Sequence, residues 1–139
     1  MRADFYLIDK PRFREDPLLL VCELAGRAFA AEQPTLILAR SSEQADALDE
    51  LLWAFDDDAW IPHQLADGDE EELAPVLIAP PACVTSSRPL VINLRDTCVA
   101  DEVERVLEVV GVDTIAREAS RRRWREYRRR GCTMKKNDM

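Results

Sequence analysis

Short runs of apolar residues alternate along the chain with longer stretches in which apolar residues recur every three or four positions. The short runs are rich in Leu, Ile and Val, which is the composition of strands buried on both faces. These predicted strands cover residues 4–8 (DFYLI), 35–39 (TLILA), 75–79 (PVLIA), 89–94 (PLVINL) and 105–112 (RVLEVVGV). The last run could instead continue a helix that begins at Asp101.

The longer stretches predict three helices, over residues 17–33, 41–55 and 113–130. Ser41 and Gln44 have the spacing of a capping box, in which each side chain accepts a hydrogen bond from a backbone amide at the helix start. Either Asp113 or Thr114 can cap the last helix. Gly131 follows that helix where a C-terminal capping glycine is expected.

Strands that alternate with helices predict a single α/β domain with a largely parallel sheet and helices on both faces. We place this domain in residues 1–131 and expect residues 132–139 to form a flexible C-terminal tail. The predicted fold is Rossmann-like but has no nucleotide-binding glycine loop, because the glycines are too far apart for a GxGxxG or Walker A motif. They are Gly26, Gly68, Gly111 and Gly131.

The charge of the chain is unevenly distributed around a formal net charge of -8. Residues 1–116 hold 9 Lys and Arg against 24 Asp and Glu, whereas residues 117–130 hold 8 arginines against 2 glutamates. The acidic body should repel nucleic acid, and the basic segment should attract anions. The sequence has neither an apolar run of about 18 residues nor an N-terminal signal core, so we expect a cytoplasmic protein.

The residues that usually carry catalysis or bind metals are few and scattered. His63 is the one histidine, and we expect it to be structural or on the surface. The cysteines have no CxxC spacing, so we expect reduced, mostly structural thiols and no metal site. They are Cys22, Cys83, Cys98 and Cys132. The acidic run at residues 67–72 (DGDEEE) could hold a hard cation but is more typical of a solvated loop. We therefore predict no enzyme activity and no cofactor.

The arginine-rich helix is the main candidate for function. Its Arg121, Trp124, Arg125 and Arg128 follow the i, i+3, i+4, i+7 spacing of one helix face. Guanidinium groups bind carboxylates in bidentate fashion, and an indole supplies apolar area, so this face suits an acidic peptide with an aromatic anchor. Two alternatives remain at this point: a nucleic-acid-binding or phosphate-binding α/β protein, and a solvated helix end whose cations complement the helix dipole.

Two tryptophans flank the acidic segment in the middle of the chain. We expect Trp53 mainly in the core. Trp60 precedes Ile61 and Pro62 in a predicted loop, where it could be either a core aromatic or an exposed interface anchor.

The order of these motifs resembles a known family. The chain opens with FYLID, carries LDELLWAFDDDAWIPHQLADGD in the middle, continues with APVLIA and PLVINL, and closes with RRWREYRRRG. This pattern is similar to the chi subunits of the bacterial DNA polymerase III holoenzyme over nearly the whole chain. The central block around the two tryptophans and the final arginine block are its most specific parts.

The resemblance implies a non-catalytic adaptor of the replisome in the bacterial cytoplasm, associated with the nucleoid. It implies binding to the acidic, phenylalanine-ended C-terminal tail of single-stranded DNA-binding protein, and a link through the psi subunit to the clamp loader. The family's tail-binding positions fall on Arg121, Trp124 and Arg125, with Arg128 nearby. The psi-facing aromatic falls on Trp60, with Trp53 close by.

Overall fold

The computed structural model describes residues 1–54, 60–66 and 74–139. In this part of the chain it contains seven strands and four helices. The strands are β1 (Arg2–Leu7), β2 (Thr35–Leu38), β3 (His63–Leu65), β4 (Val76–Ala79), β5 (Leu90–Asn93), β6 (Arg105–Val110) and β7 (Thr133–Asp138). The helices are α1 (Pro11–Glu15), α2 (Pro17–Ala30), α3 (Ser42–Ala54) and α4 (Thr114–Arg129).

The strands form one sheet in the order β3-β4-β2-β5-β6-β1-β7. All of its strand pairs are parallel, which confirms the predicted Rossmann-like α/β class. The apolar central strands are buried because helices α2 and α3 pack on one face of the sheet and α4 packs on the other. No helix in the described ranges is both long and apolar enough to cross a bilayer.

The predicted helix ends are confirmed by their capping geometry. The Ser41 hydroxyl accepts a hydrogen bond from the backbone amide of Gln44 at 3.0 Å. The Gln44 side chain in turn accepts from the backbone amide of Arg40 at 2.7 Å, one residue earlier than in the standard capping box. Asp113 caps α4 by accepting from the amide of Ala116, and Gly131 follows the helix with φ of 86°.

The C-terminal residues form a strand where we expected a flexible tail. Thr133–Asp138 pairs with β1 along the whole length of both strands. The amide of Met139 donates to the carbonyl of Leu7 at 2.8 Å, and the carbonyl of Met139 accepts from the amide of Asp9 at 2.7 Å. Because β7 is an edge strand, its sequence TMKKND is polar and does not resemble the buried strands. The prediction of flexibility was wrong for this reason.

Two shorter elements also lie where we expected irregular structure. Strand β3 follows directly on the predicted loop at Trp60, where we expected no strand, and α1 interrupts the connection between β1 and α2. Residues 105–110 form a strand, which decides against the helical alternative for that segment. Residues 67–72, the possible cation loop, lie outside the described residues.

Candidate functional site

A groove of about 430 Å³ runs between α4 and the two strands β1 and β7. Phe5 and Leu7 of β1 form its apolar floor, and α4 forms one long wall. The residues that line it are Phe5, Leu7, Arg117, Ser120, Arg121, Trp124, Arg125 and Lys136. The groove therefore combines an apolar floor with cations on its rim, and its volume is in the range of ordinary ligand sites.

Trp124 of α4 packs against Phe5 of β1 at the base of the groove. Its ring meets that of Phe5 edge-on, with a centroid distance of 5.1 Å and an interplanar angle of 63°. Tyr127, one turn further along α4, meets the same Phe5 ring at 6.0 Å. The indole is half-buried, so part of its surface remains open to a ligand. Edge-to-face pairs of this kind hold aromatic rings in a defined orientation.

The eight arginines of residues 117–130 divide into two groups according to their partners. Arg117 donates to the carbonyls of Gly111 and Ile8, and Arg123 is paired with a buried glutamate. Arg129 and Arg130 both pair with Glu126. Four others make no hydrogen bond or ion pair with any residue that the structure describes. These are Arg121, Arg122, Arg125 and Arg128. Only half of the arginines are therefore available to a ligand.

The structure brings three of the four predicted peptide-binding residues into the groove. Arg121, Trp124 and Arg125 line it together. Arg128 lies on the same helix face one turn further on, outside the lining residues. Arg122 faces a different cavity, at the carboxyl ends of the strands. Three of the predicted residues therefore share one groove, and Arg122, which has no partner among the described residues, lies outside it.

Sequence analysis did not find Lys136, which contributes to the groove from β7. We had assigned this lysine to a flexible tail. The signal that could have placed it is the alternation of side chains along a strand, which sends Lys135 and Lys136 to opposite faces once β7 is recognised.

A buried polar network fixes α4 to the sheet from behind the groove. Glu108 of β6 is fully buried. It accepts hydrogen bonds from Arg123 Nε at 3.0 Å, from Asn93 Nδ2 at 2.8 Å and from the Tyr127 hydroxyl at 2.6 Å. The Tyr127 hydroxyl also accepts from the amide of Val99 at 2.9 Å. Because Arg123 and Tyr127 both belong to α4, these bonds set the rotation of the helix about its own axis.

The pKa values of Glu108 and Tyr127 are both raised in this network. Burial raises the pKa of Glu108 above its usual range, while Arg123, Asn93 and Tyr127 act in the opposite direction by favouring the carboxylate. Burial and the neighbouring Glu108 raise the pKa of Tyr127, so its hydroxyl remains a donor. The carboxylate is buried only because these donors surround it.

Trp53 at the end of α3 and Trp60 just before β3 are both exposed, and β3 is the edge strand opposite β7. Their exposed fractions are 56% and 67%. The prediction that Trp53 lies mainly in the core was wrong. The buried positions of α3 are Ala45, Leu48 and Leu52, and the residue after Leu52 is rotated about 100° around the helix, towards solvent. Trp60 is exposed, as the interface alternative required.

His63 supports this aromatic surface from within. Its ring lies 4.6 Å from that of Trp53. Its Nδ1 is 2.7 Å from the carbonyl oxygen of Ile61, and its Nε2 is 3.0 Å from that of Asp49. The imidazole side chain is fully buried, so His63 has the structural role that we expected. The described residues contain no group of three or more His, Cys, Asp or Glu side chains that could hold a metal ion.

The fold and the site together define a small α/β domain with a cationic, aromatic-floored groove and no glycine-rich phosphate loop. The chain belongs to the family described as DNA polymerase III chi subunit, HolC, whose model matches residues 1–135. It is 33% identical to the DNA polymerase III subunit chi of Escherichia coli K12, covering 95% of this chain and 94% of that protein. It is also 33% identical to the subunit of the same name from Pseudomonas aeruginosa, covering 94% of this chain and 91% of that protein.

The family places the chain among the accessory, non-catalytic components of the bacterial DNA replication machinery. A chain of the S. cerevisiae complex of Dbp5 with Nup159, Gle1, IP6 and ADP has a similar fold, with a TM-score of 0.65 and 12% identity. The match covers 99% of the present chain and 42% of that one. At this identity, the likeness concerns the fold alone.

Proposed function

We propose that the chain is a replisome adaptor whose groove binds the acidic, phenylalanine-ended C-terminal tail of single-stranded DNA-binding protein. The observation that carries the proposal is a set of cations without partners among the described residues, Arg121 and Arg125 with Lys136, around an apolar floor. A peptide that ends in an aromatic residue after several aspartates offers the complementary chemistry. Its ring would rest on Leu7 and Trp124, and its carboxylates would meet the cations.

The physical basis of this binding is the desolvation of a few charge pairs beside an apolar contact. Charge-assisted hydrogen bonds are worth roughly 1.5–3 kcal/mol each. Arg121 and Arg125 have no intramolecular partner among the described residues, so binding would not first have to break an ion pair. The half-buried Trp124 is already oriented by Phe5, which reduces the entropy lost when a ligand docks.

The two exposed tryptophans, Trp53 and Trp60, support the proposal of a second binding partner. Trp53 and Trp60 are the two tryptophans of the chain that lie mostly in solvent, and exposed tryptophans are common anchors of protein interfaces. This surface would bind the psi subunit and, through it, the clamp loader. It lies beside β3, whereas the groove lies beside β7 at the opposite edge of the sheet. Both partners could therefore bind at once, as an adaptor at the cytoplasmic replisome requires.

The competing function is nucleic-acid or phosphate binding by the same arginines. It is less favoured because only four of the eight arginines lack a partner among the described residues and because residues 1–116 carry 24 acidic residues against 9 basic ones. A long polyanion that followed α4 would meet this acidic surface.

The test is a titration of the full chain with a fluorescent peptide that ends in Asp-Asp-Asp-Ile-Pro-Phe. We expect Arg121→Ala and Arg125→Ala each to weaken binding about tenfold or more. Arg122→Ala is the matched control, because Arg122 is also unpaired and on the same helix but faces away from the groove. We expect it to stay within about twofold of the wild type.

The competing function is tested in the same assay with single-stranded DNA of equal charge. The proposal requires the peptide to bind more tightly than the DNA at physiological salt. Equal losses in Arg121→Ala, Arg125→Ala and Arg122→Ala would contradict it, because they would indicate a general charge effect. Tighter binding of the DNA would favour the nucleic-acid function instead.

A further inference from the structure

The edge strand β7 presents one of its two adjacent lysines to the groove. Lys136 pairs in register with Phe5, and Lys135 pairs with Asp4. Neighbours in a parallel sheet project to the same face. Phe5 lies in the core cluster beneath α4, so Lys136 is on the α4 face, where it lines the groove. Lys135 is on the opposite face. Both side chains are exposed.

We infer that Lys136 is a specificity-determining contact, which holds a carboxylate of the acidic peptide from the strand side while Arg121 and Arg125 hold others from the helix side. The inference rests on the proposed function and adds a second cationic wall to the site. Like the two arginines, Lys136 makes no hydrogen bond or ion pair with any residue in the described ranges. Its ammonium is therefore available to a ligand.

The two walls differ in the chemistry that they offer. An arginine presents a planar fork that suits a bidentate carboxylate, whereas a lysine is a compact point charge on a flexible stem. Cations on both sides of an apolar floor favour a ligand that carries acidic groups on both sides of its aromatic anchor or along an extended backbone. A site whose cations all came from α4 would not require acidic groups on both sides of the anchor. Lys136 thus selects for peptides whose acidic residues reach across the groove.

The adjacent Lys135 provides a matched control. Lys136→Ala and Lys135→Ala remove the same charge from neighbouring positions of the same strand, so they change the net charge and the strand propensity equally. Only the first change alters the groove. We expect Lys136→Ala to weaken binding of the peptide ending in Asp-Asp-Asp-Ile-Pro-Phe by about three- to tenfold. Lys135→Ala should stay within about twofold of the wild type.

Two further measurements identify the contact. Lys136→Met keeps most of the apolar stem and should weaken binding as much as Lys136→Ala if the charge is responsible. A series of peptides with one aspartate at a time changed to asparagine should contain one whose loss is not additive with that of Lys136→Ala, which would mark the paired carboxylate. Melting curves of each variant verify that the fold is intact.

The possible outcomes distinguish a failure of the whole proposed site from a failure of the role of Lys136. Normal binding by Trp124→Ala and Arg125→Ala would reject the proposed site as a whole. A loss in Arg125→Ala, together with equal affinities of Lys136→Ala and Lys135→Ala, would overturn the role of Lys136 and leave the helix site standing. Full affinity in Lys136→Met would likewise overturn a role for the charge.

Discussion

The buried ion pair between Arg123 and Glu108 should be the most sensitive point of α4. The side chain of Arg123 is 8% exposed and that of Glu108 is 0% exposed. The change Arg123→Met preserves the length and apolar character of the stem but leaves Glu108 as an uncompensated buried carboxylate. Removal of one partner of a buried pair costs about 3–5 kcal/mol. In a domain of this size we expect the melting temperature to fall by roughly 10 °C or more.

The loss should depend on pH in a direction that follows from the pKa of Glu108. Burial already raises this pKa, and Arg123 opposes the increase, so Arg123→Met raises the pKa further. A carboxyl group whose pKa is higher in the folded state contributes stability below its unfolded pKa of about 4.3. That contribution disappears as the pH rises through the folded pKa. The loss of unfolding free energy caused by Arg123→Met should therefore be largest near pH 8 and smaller near pH 5.

Denaturant unfolding at these two pH values measures the effect. The control is Arg129→Ala, which removes the other type of Arg–Glu pair on the same helix. The Arg129 side chain is 75% exposed, so we expect a change within about 1 kcal/mol. The double variant Arg123→Met with Glu108→Gln should lose this additional pH dependence, because the carboxyl group that Arg123 paired with is gone. Equal effects of Arg123→Met and Arg129→Ala would refute the reasoning.

Two further predictions concern the edges of the sheet. Trp60→Ala should abolish psi-subunit binding in a pull-down without changing peptide affinity, since Trp60 is mostly exposed and lies far along the sheet from the groove; a parallel loss of peptide binding would contradict the independence of the two surfaces. Deletion of residues 133–139 should lower the melting temperature by about 3 °C or more, because it removes the strand partner of β1 and the packing of Met139. An unchanged melting temperature would mean that these residues contribute nothing to the fold.

The central strands and the long helices could be predicted because their signals are local. A short apolar run bounded by polar residues, such as residues 35–39, is typical of a strand buried on both faces. Asp113 and Gly131 mark the two ends of α4 through their own hydrogen-bonding and backbone preferences. Strands β3 and β7 could not be predicted in this way. Edge strands keep one side open to water, so their polar sequences resemble loops, and only their pairing with β4 and β1 defines them.

The sequence predicted a cationic and aromatic helix face as the candidate site, but it predicted only some of the residues that line the groove. Helical spacing placed Arg121, Trp124 and Arg125 on one face, because that face follows from geometry within a single element. The number of available arginines was not predictable, since the partner of Arg123 lies 15 positions earlier in the sequence, on β6. Lys136 was missed for the same reason. Its position depends on a strand pairing that no local pattern reveals.

The proposed preference for a short acidic tail over a longer polyanion has a physical basis in the distribution of charge. Electrostatic fields in physiological salt decay over about 8 Å, so a peptide that occupies only the groove experiences mainly the unpaired cations beside it. A nucleic acid longer than the groove would extend towards the rest of the chain, and residues 1–116 carry 24 acidic residues against 9 basic ones. Each additional phosphate would then meet repulsion in place of attraction. Arg123 is neutralised by Glu108, and Arg129 and Arg130 share the single carboxylate of Glu126, so part of the positive charge of α4 is compensated within the fold. The internal ion pairs of α4 thus contribute to specificity as well as to the fold.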